Sequence, residues 1–362
     1  MNSVMSARFV LLVLSTMLVA CSVEKKANKA FKLGKYQNSI ELYKKAAGNS
    51  SNGRANYYIA ESYRLSNRIK EAEPYYAKAG GRTVDKDTLL FYYAQSLKAN
   101  GKYAEAKAKL EQLTQETTIS GLKDRAQAEI NGIEYLTKLG ENPSFYKVKN
   151  LELINTPSSE YSPVFLNNEL YFTSSRGNDK IYEATGTPFT DIYKVASRGA
   201  NVDLATVAAL PDGINSSSIN DGCITFSPDG KTMVFAKGNN GKKKGAYDVD
   251  LYISRYRNNV WSEPIMININ EPKAWDSAPA FSPDGRTLYF ASNRPRGYGG
   301  TDIYSASMDT RGRFSRVRNL GPEINTPGNE NFPYMAEDGK LYFASDEHPG
   351  YGGLDLFYVK RA

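Results

Sequence analysis

The stretch DSAPAFSPDGRTLYFASNR occupies residues 276–294, and its reading decides the fold of the second half of the chain. An apolar run leads into a polar turn. The turn leads into TLYFAS, where apolar and polar residues alternate with the period of a strand. The turn chemistry is explicit: Pro283 presets φ, Asp284 can bond its own backbone, and Gly285 accepts the left-handed conformation. The segment predicts a hairpin. NDGCITFSPDGKTMVFAKG (220–238) repeats it around Pro228-Asp229-Gly230. EYSPVFLNNELYFTSSR (160–176) and ENFPYMAEDGKLYFASDE (330–347) are degenerate copies, turning at Asn167-Asn168 and Asp338-Gly339.

Outward from each hairpin comes a third strand: TDIYKV (190–195), VDLYIS (249–254), TDIYSA (301–306) and LDLFYV (354–359). A fourth reads VWSEPIMI (260–267) and FSRVRNL (314–320), and connectors follow as INSS (214–217), INEP (269–272) and INTP (324–327). Four strands in a unit of 53–61 residues match a β-propeller blade. The near-identical words GYGGTDIY (297–304) and GYGGLDLF (350–357) fall between second and third strands. Glycine there frees the backbone. Asp191, Asp250, Asp302 and Asp355 recur where a carboxylate can accept backbone N–H bonds. A ligand site is the competing reading. These loops share one propeller face, which makes Arg296, Tyr298, His348 and Tyr351 the candidate binding residues, since exposed Tyr and Arg are favoured at interfaces. FYKVKNLELINTP (145–157) is similar to FSRVRNLGPEINTP (314–327). Pairing of 145–153 with 355–361 would close a ring of four blades and leave no free edge. The alternative is part of a larger ring.

The first half repeats with a different period. FKLGKYQNSIELYKKAA (31–47), YRLSNRIKEAEPYYAKA (63–79) and LKANGKYAEAKAKLEQL (97–113) superimpose, with Gly34, Asn67 and Gly101 at the turns. The apolar offsets of three and four place one face of a helix inward. Ala27, Ala60 and Ala94 stand at equivalent places in the preceding helix, where small side chains let two helices approach. SGLKDRAQAEINGIEYLTKL (120–139) predicts a capping helix.

Residues 1–20 have the form of a signal peptide: Arg8, then the apolar run Phe9 to Val19, too short for a permanent span. Cys21 follows Leu18-Val19-Ala20. An ordinary signal with a chance Cys is the alternative to lipid modification. Cys223 is the one other cysteine and reads as a small buried hydrophobe. The net charge of +7 belongs to the first half: residues 21–142 hold 21 Lys and Arg against 14 Asp and Glu. That surface could meet anionic partners or simply be solvated. Export argues against nucleic acid.

Catalytic signals are sparse. His348 is the single histidine, no G-x-S-x-G elbow or phosphate loop is present, and His/Cys metal clusters are excluded by count. No catalytic residue, metal or cofactor is expected, and the chain is expected not to be an enzyme. A hydrolase with two carboxylates facing each other is the reading that composition leaves open.

Three resemblances follow. Leu18-Val19-Ala20-Cys21 resembles a lipoprotein lipobox, which implies a lipid anchor on Cys21. The helical repeat over about 24–113 resembles the tetratricopeptide repeat. The strand signatures over about 145–362 are similar to the PD40, or TolB-like, propeller repeat. The expected organisation is a signal peptide (1–20), an all-α tetratricopeptide solenoid (21–142) and an all-β propeller (143–362). The tetratricopeptide resemblance implies a groove lined by Asn28, Tyr57, Glu61, Arg64, Phe91, Gln95 and Lys98. Together the three resemble outer-membrane lipoproteins of Bacteroidetes, some associated with type IX secretion, here without the OmpA-like domain of many members. That resemblance implies a non-catalytic scaffold on the periplasmic side of the outer membrane, binding envelope or secretion-machinery proteins, with possible peptidoglycan association. A glycan or peptidoglycan-fragment receptor using the propeller face is the alternative.

Overall fold

The computed structural model describes residues 22–47, 52–82, 84–139, 150–199, 201–238 and 249–360. The expected signal peptide, Cys21 and residues 145–149 of the closing strand lie outside them. Seven helices come first: α1 (22–32), α2 (Tyr36–Ala47), α3 (Gly53–Leu65), α4 (Ile69–Tyr76), α5 (Lys86–Ala99), α6 (Tyr103–Glu116) and α7 (Ser120–Leu139). The turn residues Gly34, Asn67 and Gly101 take φ of 71°, 59° and 74°, the left-handed backbone that reverses the chain tightly. Asn52 and Asp85 cap α3 and α5 by accepting the N–H of Ala55 and Asp87. From α2 onward each helix packs on the one before it and the one after it, so the core is built between sequence neighbours. Ala27, Ala60 and Ala94 are buried at the close approaches. The helical unit also takes in Glu183–Gly186 and Pro349–Gly353; the remaining described residues form a second, β unit.

Four sheets make up that unit. The first contains β1 (Glu160–Leu166) and β2 (Glu169–Ser174), then, past a short ribbon of β3 (Ile181–Tyr182) and β4 (Thr187–Pro188), β5 (Asp191–Arg198) and β6 (Asn201–Ala209). The second holds β7 (Asp221–Phe226), β8 (Thr232–Lys237) and β9 (Asp250–Arg257), with β10 (Val260–Trp261) and β11 (Ile265–Met266) both on β9. The third is β12 (Asp276–Phe281), β13 (Thr287–Ser292), β14 (Asp302–Met308) and β15 (Phe314–Asn319). The fourth is β16 (Glu330–Met335), β17 (Lys340–Ser345) and β18 (Asp355–Lys360). Each is an antiparallel meander, the form of a propeller blade. The hairpin turns follow their sequence: Gly230 and Gly285 have φ of 67° and 68°, and Asp229 and Asp284 each accept an N–H two residues on. Strand β6 has no counterpart in the sequence reading.

A bulge breaks the register of every first strand at one place, and Ser162, Cys223, Ala278 and Phe332 sit there with φ of 48–52°. Cys223 is buried and unpaired as a thiol, as expected of a small hydrophobe.

Consecutive blades share cores. Tyr171 and Ile192 of blade one meet Phe226 and Phe235 of blade two; Val234 and Leu251 meet Leu288 and Phe290; Tyr289 and Ile303 meet Leu341 and Phe343. The expected closure of the ring rests largely on residues 145–149 and 361, which lie outside the described residues. Among the described residues no strand of blade four packs on blade one in this way. Residues 150–153 form no strand, and the chain turns at 152–154. The outward face of blade four stays open, with Leu356 83 % and Tyr358 60 % exposed.

Candidate functional site

Every blade begins on a carboxylate: Glu160, Asp221, Asp276 and Glu330. Arg176, Lys237, Arg294 and His348 follow at the far end of each hairpin. Each of these binds the carbonyl of the connector isoleucine ahead of its blade: Ile154 at 2.5 Å, Ile214 at 2.6 Å, Ile269 at 3.1 Å and Ile324 at 2.9 Å. Three also pair with their carboxylate, Arg176 with Glu160 at 3.0 Å, Lys237 with Asp221 at 2.9 Å and Arg294 with Asp276 at 2.8 Å. The connector asparagines act on the blade behind. Asn215, Asn270 and Asn325 accept the N–H of Ile192, Leu251 and Ile303 at 2.7–2.9 Å and donate to the same residues' carbonyls. The backbone N–H of Asp221, Asp276 and Glu330 then reaches back to the carbonyls of Thr190, Val249 and Thr301 at 2.7–2.8 Å.

The electrostatics differ between copies. Burial acts to raise the Glu160 carboxyl, but hydrogen bonds from Thr156, Ser174 and Arg176 outweigh it and hold the group below its ordinary value. Burial pushes Asp221 up to about 7, with Lys237 acting against it. Lys237 also donates to Ile214 O and to Ser216 Oγ, and neither Asp221 oxygen accepts a well-directed hydrogen bond.

The first GYGG word is a built loop. Asp302 accepts the N–H of Tyr298 at 2.7 Å, the N–H of Gly299 at 3.1 Å and the Asn319 amide at 2.7 Å. A Cβ on Gly299 would stand 2.2 Å from Thr326 O, so only glycine fits there. The loop displays Arg296 and Tyr298, both exposed. The two other candidates are held by other contacts. The His348 ring packs on Phe343 and Phe357 and bonds Ile324 O, so it is a junction residue rather than a free binding group. Tyr351 belongs to the segment grouped with the helical unit, within which its carbonyl accepts the Tyr103 hydroxyl.

The expected helical groove is also corrected. Glu61, Phe91 and Lys98 are buried, because the first helix of each pair lies between two neighbours. Arg64 grips Glu61 through two bonds, Tyr76 donates to Glu61 at 2.5 Å, and Arg64 lies 3.8 Å over the Tyr92 ring. Lys98 pairs with Glu129 at 2.7 Å in the interior. Asn28 accepts the Tyr43 hydroxyl. Tyr57 and Gln95 remain partly exposed. The basic residues that follow the hairpins are what sequence reasoning missed; aligning the four copies beyond their turns exposes them.

No protein-family model and no curated protein sequence matches the chain. Among solved structures it is similar to a TolB from Agrobacterium tumefaciens, at 16 % identity and TM-score 0.34 over 53 % of this chain and 62 % of that one. It is similar to a puromycin hydrolase at 14 % identity and TM-score 0.33, over 54 % of this chain and 38 % of that one. It is also similar to a GH43 endo-arabinanase from Bacillus licheniformis at 12 % identity and TM-score 0.33, over 60 % and 80 %. The chain thus spans less than two thirds of the length of the first two. At these scores the propeller assignment rests on the sheet order itself. One expectation is withdrawn: with hydrolases among the similar propellers, the chain is not set down as a non-enzyme.

Proposed function

We propose that this protein is an outer-membrane lipoprotein, anchored through Cys21 on the periplasmic side, that acts as an adaptor for envelope or secretion-machinery proteins. The observation that carries the reading is the Asp302-buttressed loop, which presents Arg296 and a 51 % exposed Tyr298 on a backbone tied by two hydrogen bonds to one carboxylate. A backbone already held in place need not be ordered on binding, and Tyr and Arg side chains dominate interface energetics. Tyr57 and Gln95 are the helical contribution. The sequence after Cys21, Ser22-Val23-Glu24-Lys25-Lys26, lacks an acidic run, and in the resembled lipoproteins such a run favours surface display. The lipobox, the tetratricopeptide character of the helices and the link to type IX secretion belong to this proposal.

The test is a crosslinked recovery from native envelopes in mild detergent with the anchored protein as bait. Defined envelope proteins should be recovered, and Arg296→Ala with Tyr298→Ala should reduce their yield about 10-fold or more. Recovery of glycan or peptidoglycan fragments alone, retained through Tyr298, would replace the adaptor reading with a receptor.

A further inference from the structure

Blade four and blade one carry the residues that, at the other junctions, face each other across two blades. At the three made junctions an asparagine holds the third strand of the blade behind, and the next blade's acidic residue sends its N–H back to the carbonyl just before that strand. On blade four the register equivalents are Leu356, opposite Ala344 as Ile303 is opposite Ala291, and Leu354. On blade one they are Asn155 and the Glu160 N–H. Among the described residues these groups do not meet. Asn155 is exposed and donates instead to Asn150, while Leu356 is 83 % exposed.

The apolar surfaces tell the same story. Phe165 on the incoming face of blade one is 57 % exposed, whereas its register equivalents Phe226 and Phe281 are each 8 % exposed beneath a preceding blade. On the outgoing face of blade four, Tyr334, Tyr342 and Tyr358 form a cross-strand row, and the Tyr289 that occupies this row in blade three is buried by blade four. Among the described residues one end offers a strand edge and an apolar face; the other offers the amide and the apolar residue that cover such a face elsewhere in the molecule.

We infer that the chain associates head to tail with a second copy, blade four of one docking on the Asn155 end of blade one of the other. The occupant follows from continuity with the three junctions within the chain, whose partners are always an outgoing and an incoming face. An interface of this heterologous kind gives a closed pair or a longer row according to its rotation. The inference does not depend on the anchoring or adaptor readings.

The experiment uses the full chain carrying Cys21→Ser, in which Cys223 is buried. Asn155→Cys and Leu356→Cys variants are prepared separately, then mixed and treated with a short bismaleimide. A covalent pair that forms in the mixture and in neither variant alone is the expected result. Sedimentation should show a mass that rises with concentration, and Leu356→Asp should weaken that association about 10–100-fold with an unchanged thermal melt. Three results overturn the inference: no intermolecular product, pairing within either single variant alone, or a double variant that crosslinks only inside one chain. The last would mean that the ring closes on itself.

Discussion

The junction between blades three and four and the two unmatched ends use the same residue types and reach opposite states. At the junction Asn325 is buried and bonded on both sides, Ile303 is covered, and Glu330 accepts from Thr326 and Ser345. At the ends Asn155 and Leu356 are open to solvent. The difference teaches that a junction is one polar and apolar unit. Its components do not bury themselves within a single blade; they need the facing blade to be present.

The sharpest way to break the comparison is Arg294→Ala. It leaves the fully buried Asp276 carboxylate with no cation and only the Glu271 N–H as donor, and frees Ile269 O, so a loss of roughly 3–5 kcal/mol in a urea melt is expected. Asn325→Ala should cost about 1–3 kcal/mol, because it leaves the buried N–H of Ile303 unpaired and takes one of two donors from its C=O, the Leu320 N–H remaining. Asn155→Ala, the same change at the unmatched end, should stay within about 0.5 kcal/mol in the dilute monomer. Equal costs for these two would erase the distinction.

A third test uses pH. Asp221 holds its proton more tightly in the fold than its ordinary value of 3.8 allows, so the folded state loses stability as pH rises toward about 7. The loss should amount to roughly 2 kcal/mol between about pH 5 and 7 and should vanish in Asp221→Asn. Glu160 has the opposite sign: its stabilisation is present above the ordinary carboxylate range and is lost as pH falls through its lowered value. A carboxylate NMR titration distinguishes the two groups. A small gain is expected of Ala278→Gly, which relieves a φ of 48° and should add about 0.5–1 kcal/mol, read as a raised melting temperature.

The blades were legible because their hairpin turns are chemically explicit. Pro-Asp-Gly admits few backbone shapes, and Gly230 and Gly285 adopt the expected one. The helical turns were legible for the same reason at Gly34, Asn67 and Gly101. The groove was not legible, because polarity at a helical position does not reveal its partner. Glu61 and Lys98 look solvent-facing in sequence, yet each is neutralised inside the stack, by Arg64 and Glu129. His348 misled similarly: a histidine in a glycine loop suggests a surface, while its equivalence to Arg294 lies outside the hairpin signature. Closure lies largely outside the described residues, because the strand expected to make it begins at 145 and the described residues resume at 150.

The bulge in each first strand has a consequence for change over time. Ser162, Cys223, Ala278 and Phe332 share one left-handed backbone geometry and almost nothing else. The shape is inherited from the surrounding sheet, so the letter written there is free of the grammar around it. Such positions recur once in the first strand of every blade, where four different letters keep one backbone shape.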